Sequence, residues 1–247
     1  MKKAIWILSL FLFCSCLPDE YEMDMVYVEG GEFIMGSDEE DADTDESPMR
    51  TVQMESFYIG RYEITQKQWK RVMNGKNPSI FKDDDRPVEC VSWNDVQIFI
   101  KRLNKITGRS FRLPTEKEWE YAAKGGIFGV EDNLNPAEIE KIAWFVENSD
   151  SISHRVGELQ PNKLGIYDMI GNVHEWCYDV YDSLAYSQDL VNGDVSQNLD
   201  SAIRVYRGGS WLSSRKYIRV SNRNKNNVNL RHFCLGFRLA ESCNPIE

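Results

Sequence analysis

Histidine is nearly absent: the 247 residues hold three, His154, His174 and His232. They show no H-x-E-x-H spacing, so no single element offers a histidine metal site, and each reads as a surface or packing residue. Basic charge is also in deficit, with 29 Lys+Arg against 39 Asp+Glu and a formal net charge of −10. Phosphate binding needs a positive field, so this balance excludes a nucleic-acid binder. No apolar run is long enough to span a bilayer, and no internal repeat or low-complexity tract interrupts the chain. The acidic run Ser37 to Ser47 (SDEEDADTDES) lacks the DxDxDG spacing of an EF-hand loop and reads as a solvated surface loop.

Residues 1–16 read MKKAIWILSLFLFCSC. Lys2 and Lys3 precede a short apolar stretch, Ala4 to Phe13, and a small residue, Ser15, stands directly before Cys16. This resembles a bacterial lipoprotein signal, with Cys16 the acylated cysteine; Cys14 fits less well because bulky Phe13 precedes it. Acyl chains would hold the protein to a membrane surface of the cell envelope, facing periplasm or cell surface, without a spanning helix. Loss of the two lysines deepens the charge balance from −10 to −12. Residues 17–24 read as a tether, 25–241 as one domain and 242–247 as a tail. Cys90, Cys177, Cys234 and Cys243 then sit in an oxidising compartment, where four cysteines allow three full pairings.

Three helices carry a local mechanism. Thr65 to Asn74 opens on the capping box Thr65-x-x-Gln68 and puts Trp69, Val72 and Met73 on one face. Asn94 to Ile106 aligns Val96, Phe99, Ile100, Leu103 and Ile106 and stops before Gly108. Thr115 to Lys124 opens on Thr115-x-x-Glu118, buries Trp119, Ala122 and Ala123, and stops at Gly125-Gly126. Short strands are predicted at 26–28, 32–35, 51–59, 204–207 and 235–239. Turn chemistry dominates the rest, and a core under so much loop calls for disulfides, ions or aromatic packing. The seven tryptophans fit the last.

Six segments in order resemble one family, the formylglycine-generating (sulfatase-modifying) enzyme domain. They are Val28-Glu29-Gly30-Gly31-Glu32-Phe33-Ile34-Met35-Gly36-Ser37, Tyr62-Glu63-Ile64-Thr65 with Trp69, and Arg86-Pro87-Val88-Glu89-Cys90-Val91-Ser92-Trp93. Phe111-Arg112-Leu113-Pro114-Thr115-Glu116 continuing to Ala123, and Leu164-Gly165-Ile166-Tyr167-Asp168 continuing to Cys177, follow. Arg207-Gly208-Gly209-Ser210-Trp211, with Gly236-Phe237-Arg238-Leu239 beyond it, completes the set over about residues 25–240. The resemblance implies an α+β, C-type-lectin-like fold: a small antiparallel sheet, a few helices and much irregular loop.

It also implies a set of site residues. The family's oxidases bind copper through two cysteines placed six and eleven residues after the first position of the RGGS motif. Here Ser213 and Ile218 stand there, which argues against copper, because soft Cu(I) needs thiolates. His174 occupies a position where those oxidases carry tryptophan. A structural calcium site carries over to Asp168, Gly171, Val173 and Glu175, a set of hard oxygen ligands around a Gly-Asn turn. The stretch that lines the family's substrate groove carries Ser210, Trp211, Ser213, Arg215, Arg219 and Arg223, with asparagines from Asn222 to Asn229. These groups suit a peptide, a carboxylate or a glycan, and the arginines equally suit ion pairs with the acidic excess. The expected function is an envelope lipoprotein that binds a protein or polysaccharide partner without catalysis or with a reassigned one. The competing expectation is a metal-dependent oxidoreductase, formylglycine formation on a sulfatase cysteine included.

Overall fold

The computed structural model describes residues 21–129, 135–186 and 203–243. The expected lipoprotein signal with Cys16, half of the expected tether and the last residues of the tail lie outside them.

All three expected helices form, and each is fixed at its start by the reciprocal bonds that the sequence specifies. In α1 (Gln66–Val72) the Thr65 hydroxyl accepts the Gln68 N–H and the Gln68 side chain accepts the Thr65 N–H. Helix α2 (Trp93–Thr107) starts earlier than expected because Ser92 and Asp95 form the same box. It ends at Gly108 in the left-handed region, φ 70°. Helix α3 (Glu116–Ala123) is capped by Thr115 and Glu118. The apolar faces are buried as expected, with one correction. Ile106 is 41% exposed, and the last turn of α2 buries Thr107 instead, whose hydroxyl donates to the Leu103 carbonyl. A fourth helix, α4 (Pro136–Ile142), carries Asn135 as N-cap, Pro136 in its first turn and Glu138 closing the box. That signature is in the sequence, but the helix buries no residue fully, so its hydrophobic pattern is faint.

Among the described residues nine short strands form three sheets. β1 (Met25–Val28), β4 (Phe57–Gly60) and β9 (Ala240–Ser242) make one antiparallel sheet in the order β1-β4-β9. β2 (Glu32–Met35) and β3 (Arg50–Gln53) make a second. The third runs β7-β6-β5-β8, built from β5 (His174–Val180), β6 (Ile203–Arg207), β7 (Asn224–Asn227) and β8 (Leu235–Gly236). The expected strand 51–59 is therefore two strands in different sheets. Met54 ends the first by pairing its backbone in both directions with Gly31, where a side chain at Gly30 would strike the Met54 carbonyl at 2.5 Å. The expected strand 235–239 is shorter: β8 holds only Leu235 and Gly236, parallel to β5, and β9 begins beyond it at Ala240, where the chain joins β4.

Aromatic packing supplies the core. Trp69 stacks on Phe99 with ring centroids 5.2 Å apart, and Phe237 meets both edge-on. Trp119 and Trp176 are fully buried, each with its indole N–H bonded. The four described cysteines are free thiols.

Candidate functional site

Two loops meet to build the candidate site. The first is the turn from Asp168 to Glu175, where Asp168, Gly171 and Asn172 all have positive φ, 57°, 88° and 51°. Gly171 is obligatory because a side chain there would lie 2.3 Å from the Trp144 carbonyl. The second is the Arg207–Trp211 segment. Gly171 N–H donates to the Gly208 carbonyl at 2.7 Å and Trp211 N–H donates to the Asn172 carbonyl at 2.8 Å, so the two loops share a backbone ladder. Asn172 is the hub: its amide donates to Glu63 Oε2 at 2.8 Å and its Oδ1 accepts the His154 N–H at 2.9 Å.

Beneath this turn three carboxylates face one guanidinium. Arg238 bonds both oxygens of Glu175 at 2.6 Å, and Trp119 Nε1 donates to Glu175 Oε2 at 2.8 Å. Glu63 accepts Asn172 and the Val173 N–H. Asp168 accepts the Gly157 N–H at 2.8 Å through Oδ2, while its buried Oδ1 has no partner. Burial raises the Asp168 carboxyl to about 6, and burial together with the charges of Asp168 and Glu175 pushes Glu63 well above the usual range. The four residues implied as calcium ligands thus lie on one turn. Glu175 is already engaged by Arg238, and among the described residues no group of three or more His, Cys, Asp or Glu is disposed to hold a metal ion.

At the copper positions of the family there is no thiol. Ser213 Oγ accepts the Ser210 N–H at 3.0 Å and lies 3.3 Å from Ser210 Oγ. Ile218 is 2% exposed and packs with Ala143, Phe145 and Ile170, while Gly209 at φ 70° lets the backbone pass its side chain. Trp211 is buried between Phe81 and Phe233, each with centroids 5.6 Å away. His174 packs edge-on to Tyr206 with a buried, unpartnered Nδ1, and burial with the neighbouring His232 lowers it to about 4.

The arginines separate into two groups. Arg223 grips Glu116 at 2.7 and 2.9 Å, and Arg207 bonds Glu116 at 3.0 Å and Glu120 at 2.5 Å. Arg219 grips Glu46 at 2.6 and 2.9 Å. Arg223 and Arg219 therefore serve as buried or half-buried structural cations. Arg215 is half-buried, with its guanidinium 5.7 Å from the centroid of the Phe145 ring. The expectation of a freely solvated acidic loop also needs correction. Glu46 is fully buried, its backbone carbonyl accepts the Ser37 N–H, and it anchors the run against Arg219 and Asn222; the tip around Asp38 to Asp41 stays exposed.

Linear reading of the chain misses one grouping. Cys234, too distant along the chain to stand in register for a copper ligand, is brought beside Ser210, with His232 Nδ1 2.9 Å from its sulfur. Its main chain accepts the His174 N–H at 2.8 Å. Only the pairing of β8 with β5 creates this neighbourhood. A nearby crevice of about 40 Å³, lined by Met23, Tyr62, Glu63 and Leu239, holds no more than a water or two.

Comparisons with known proteins agree with this architecture. The sulfatase-modifying factor enzyme 1-like domain matches residues 16–243. Chaperone protein LppX of Paenibacillus barcinonensis is 32% identical over 262 residues, which cover 83% of this chain and 85% of that protein. Serine/threonine-protein kinase pkn1 of Chlamydia pneumoniae is 32% identical over 92% of this chain, which spans 39% of the kinase's length. Inactive C-alpha-formylglycine-generating enzyme 2 of Mus musculus is 26% identical, with 96% of this chain and 91% of that protein covered. Among solved structures, Treponema denticola variable protein 1 superposes with a TM-score of 0.75 at 30% identity. PvdO from Pseudomonas aeruginosa does so with 0.76 at 28%, and each match covers 88% of this chain and 94% of the other.

Proposed function

Because the chain belongs to the sulfatase-modifying factor enzyme 1-like family, we propose that it is a binding member of that family, without the copper oxidase chemistry. The observation that carries this is the pair Ser213 and Ile218: one hydroxyl tied to its own loop, one aliphatic side chain sealed in an apolar cluster. A hydroxyl is a poor ligand for soft Cu(I), and an aliphatic side chain is none. The likeness to a mammalian relative named as inactive supports the same reading. The test is metal analysis of the purified protein with oxygen consumption on a cysteine-containing sulfatase peptide. The reading predicts no stoichiometric copper or iron and no turnover; metal with turnover overturns it.

The partner in this proposal is an envelope protein or polysaccharide, docked at the face that carries half-buried His174, Ser213 and Arg215, with Ser210 and Trp211 buried beside them. A name that includes "chaperone" for one relative favours a protein. Anchoring through an acylated Cys16 belongs to the same proposal. Among the described residues no helix is long and apolar enough to cross a membrane. Cys16→Ala is expected to move the protein from the membrane to the soluble fraction, and a pull-down from envelope membranes with the lipidated protein tests partner and location together.

Calcium at the Asp168 turn is proposed as structural. The unpartnered Asp168 Oδ1 and the excess of three carboxylates over one guanidinium support it, with Gly171 and Val173 offering carbonyls. The bond of Glu175 to Arg238 opposes it, since the ion must share that carboxylate. Calorimetry that detects neither binding nor a calcium-dependent rise in Tm removes the ion from the proposal.

A further inference from the structure

Cys90 and Cys234 are separated by most of the domain in sequence and lie on segments that run side by side. The Cys90 N–H donates to the His232 carbonyl at 3.0 Å, and a side chain at Gly236 would meet the Val88 carbonyl at 2.5 Å. These two contacts bracket Cys234 from either side. Cys90 itself has φ 59°, a left-handed conformation in which a non-glycine residue is held by its surroundings. Glu89 beside it accepts the Ile80 and Phe81 N–H groups, which pins the segment in front of α2. Both thiols are held protonated, Cys90 at about 12 and Cys234 at about 11, by burial first; the Cys234 sulfur adds to the shift at Cys90. The other thiols are elsewhere. Cys177 is fully buried in the cluster under α3, and Cys243 follows β9 beside Glu241 on another sheet.

We propose that Cys90 and Cys234 form a disulfide in the exported protein, tying the segment that leads into α2 to the entry of β8 beside the candidate site. The oxidant is a disulfide-containing molecule, a thiol–disulfide oxidant or oxidised glutathione. Half-buried Cys90 loses its proton, attacks one oxidant sulfur and releases the other as a thiol. Cys234 then passes its proton to His232 Nδ1 and attacks the Cys90 sulfur, which expels the second oxidant thiol. One disulfide is made and one broken, and two electrons pass to the oxidant. Thiols of such high pKa are poor leaving groups, so the bond resists later exchange and is structural.

The inference rests on the proposed export only for its oxidant, and oxidation of the full chain with glutathione disulfide removes that dependence. Alkylation under denaturing, non-reducing conditions followed by peptide mass mapping reads the result. The expected map links the Cys90 peptide to the Cys234 peptide and shows Cys177 and Cys243 alkylated. The oxidised form should melt roughly 5–15 °C above the reduced form, and Cys90→Ser should abolish both the link and the shift while Cys177→Ser keeps the link. If Cys234→Ser fails to fold, the wild-type map and Cys90→Ser still decide. Alkylation of all four residues after oxidation, a link to a different cysteine, or a bound soft metal that shields both thiols without a link each overturns the inference. Oxygen turnover with the link present would defeat the binding reading and leave the disulfide standing.

Discussion

Ile218 shows at residue scale what one side chain contributes to the frame. Its side chain completes an apolar cluster with Phe145 and Ile170, so it now contributes packing where the family's oxidases use a ligand. Ile218→Ala should cost about 2–4 kcal/mol, measured by urea unfolding, because the position is closed on every side. The buried pair Arg238–Glu175 predicts a larger effect. Both side chains are essentially inaccessible, so Arg238→Met leaves the Glu175 charge unpaired and should destabilise by roughly 3–5 kcal/mol. Sequence reading singled out Glu175 and quoted Arg238 within a motif, but not their contact. A lone arginine in a sequence with 39 acidic residues does not declare its partner.

Elements behave more predictably, because a helix start depends on residues three apart. Ser92→Ala removes the acceptor for the Asp95 N–H and should lower stability by about 1 kcal/mol, with the fold retained by circular dichroism. The acidic run is different, since its role is set by what it docks against. At Glu46, burial alone would raise the carboxyl, but Arg219 and Ser221 outweigh it and hold the group below its ordinary value. At Glu116, burial is likewise outweighed, there by Arg223 and Arg207. Folded values below the unfolded ones give stability that is fully present above about pH 4.5 and is lost as pH falls through the folded values. Melting temperatures measured from pH 7 to pH 3 should therefore fall on the acid side. Glu46→Gln should lower Tm at pH 7 and flatten that limb; an unchanged slope would remove Glu46 as its source. Strands were the least legible elements. β5 is buried on both faces for three successive residues and β7 reads Asn-Lys-Asn-Asn, so neither shows the alternation that marks a strand.

The whole molecule is held by connections that no short window contains. Arg207, Arg219 and Arg223 come from one stretch, yet they reach back to Glu120, Glu116 and Glu46. This network ties the stretch from Arg207 to Arg223 to α3 and to the acidic run, and it helps to hold the loops in place. It also means that Glu46 and Glu116 hold the same segment of chain from two sides of the fold. A combined Glu46→Gln, Glu116→Gln variant should therefore melt at a lower temperature than either single variant, which thermal unfolding would read.

The sequence by itself determined the helix starts, the order of the family motifs and the identity of Ser213 and Ile218 where the resemblance implies thiolates. Those features depend on residues a few positions apart or on the identity of a single side chain. Only the tertiary structure decided which arginine faces which carboxylate, that Glu63 joins Asp168 and Glu175 under one guanidinium, and that Cys234 stands beside Ser210 and near Cys90. Each of these brings together groups tens of residues or more apart, and the cost of closing such loops is met by the aromatic core that the whole chain builds together.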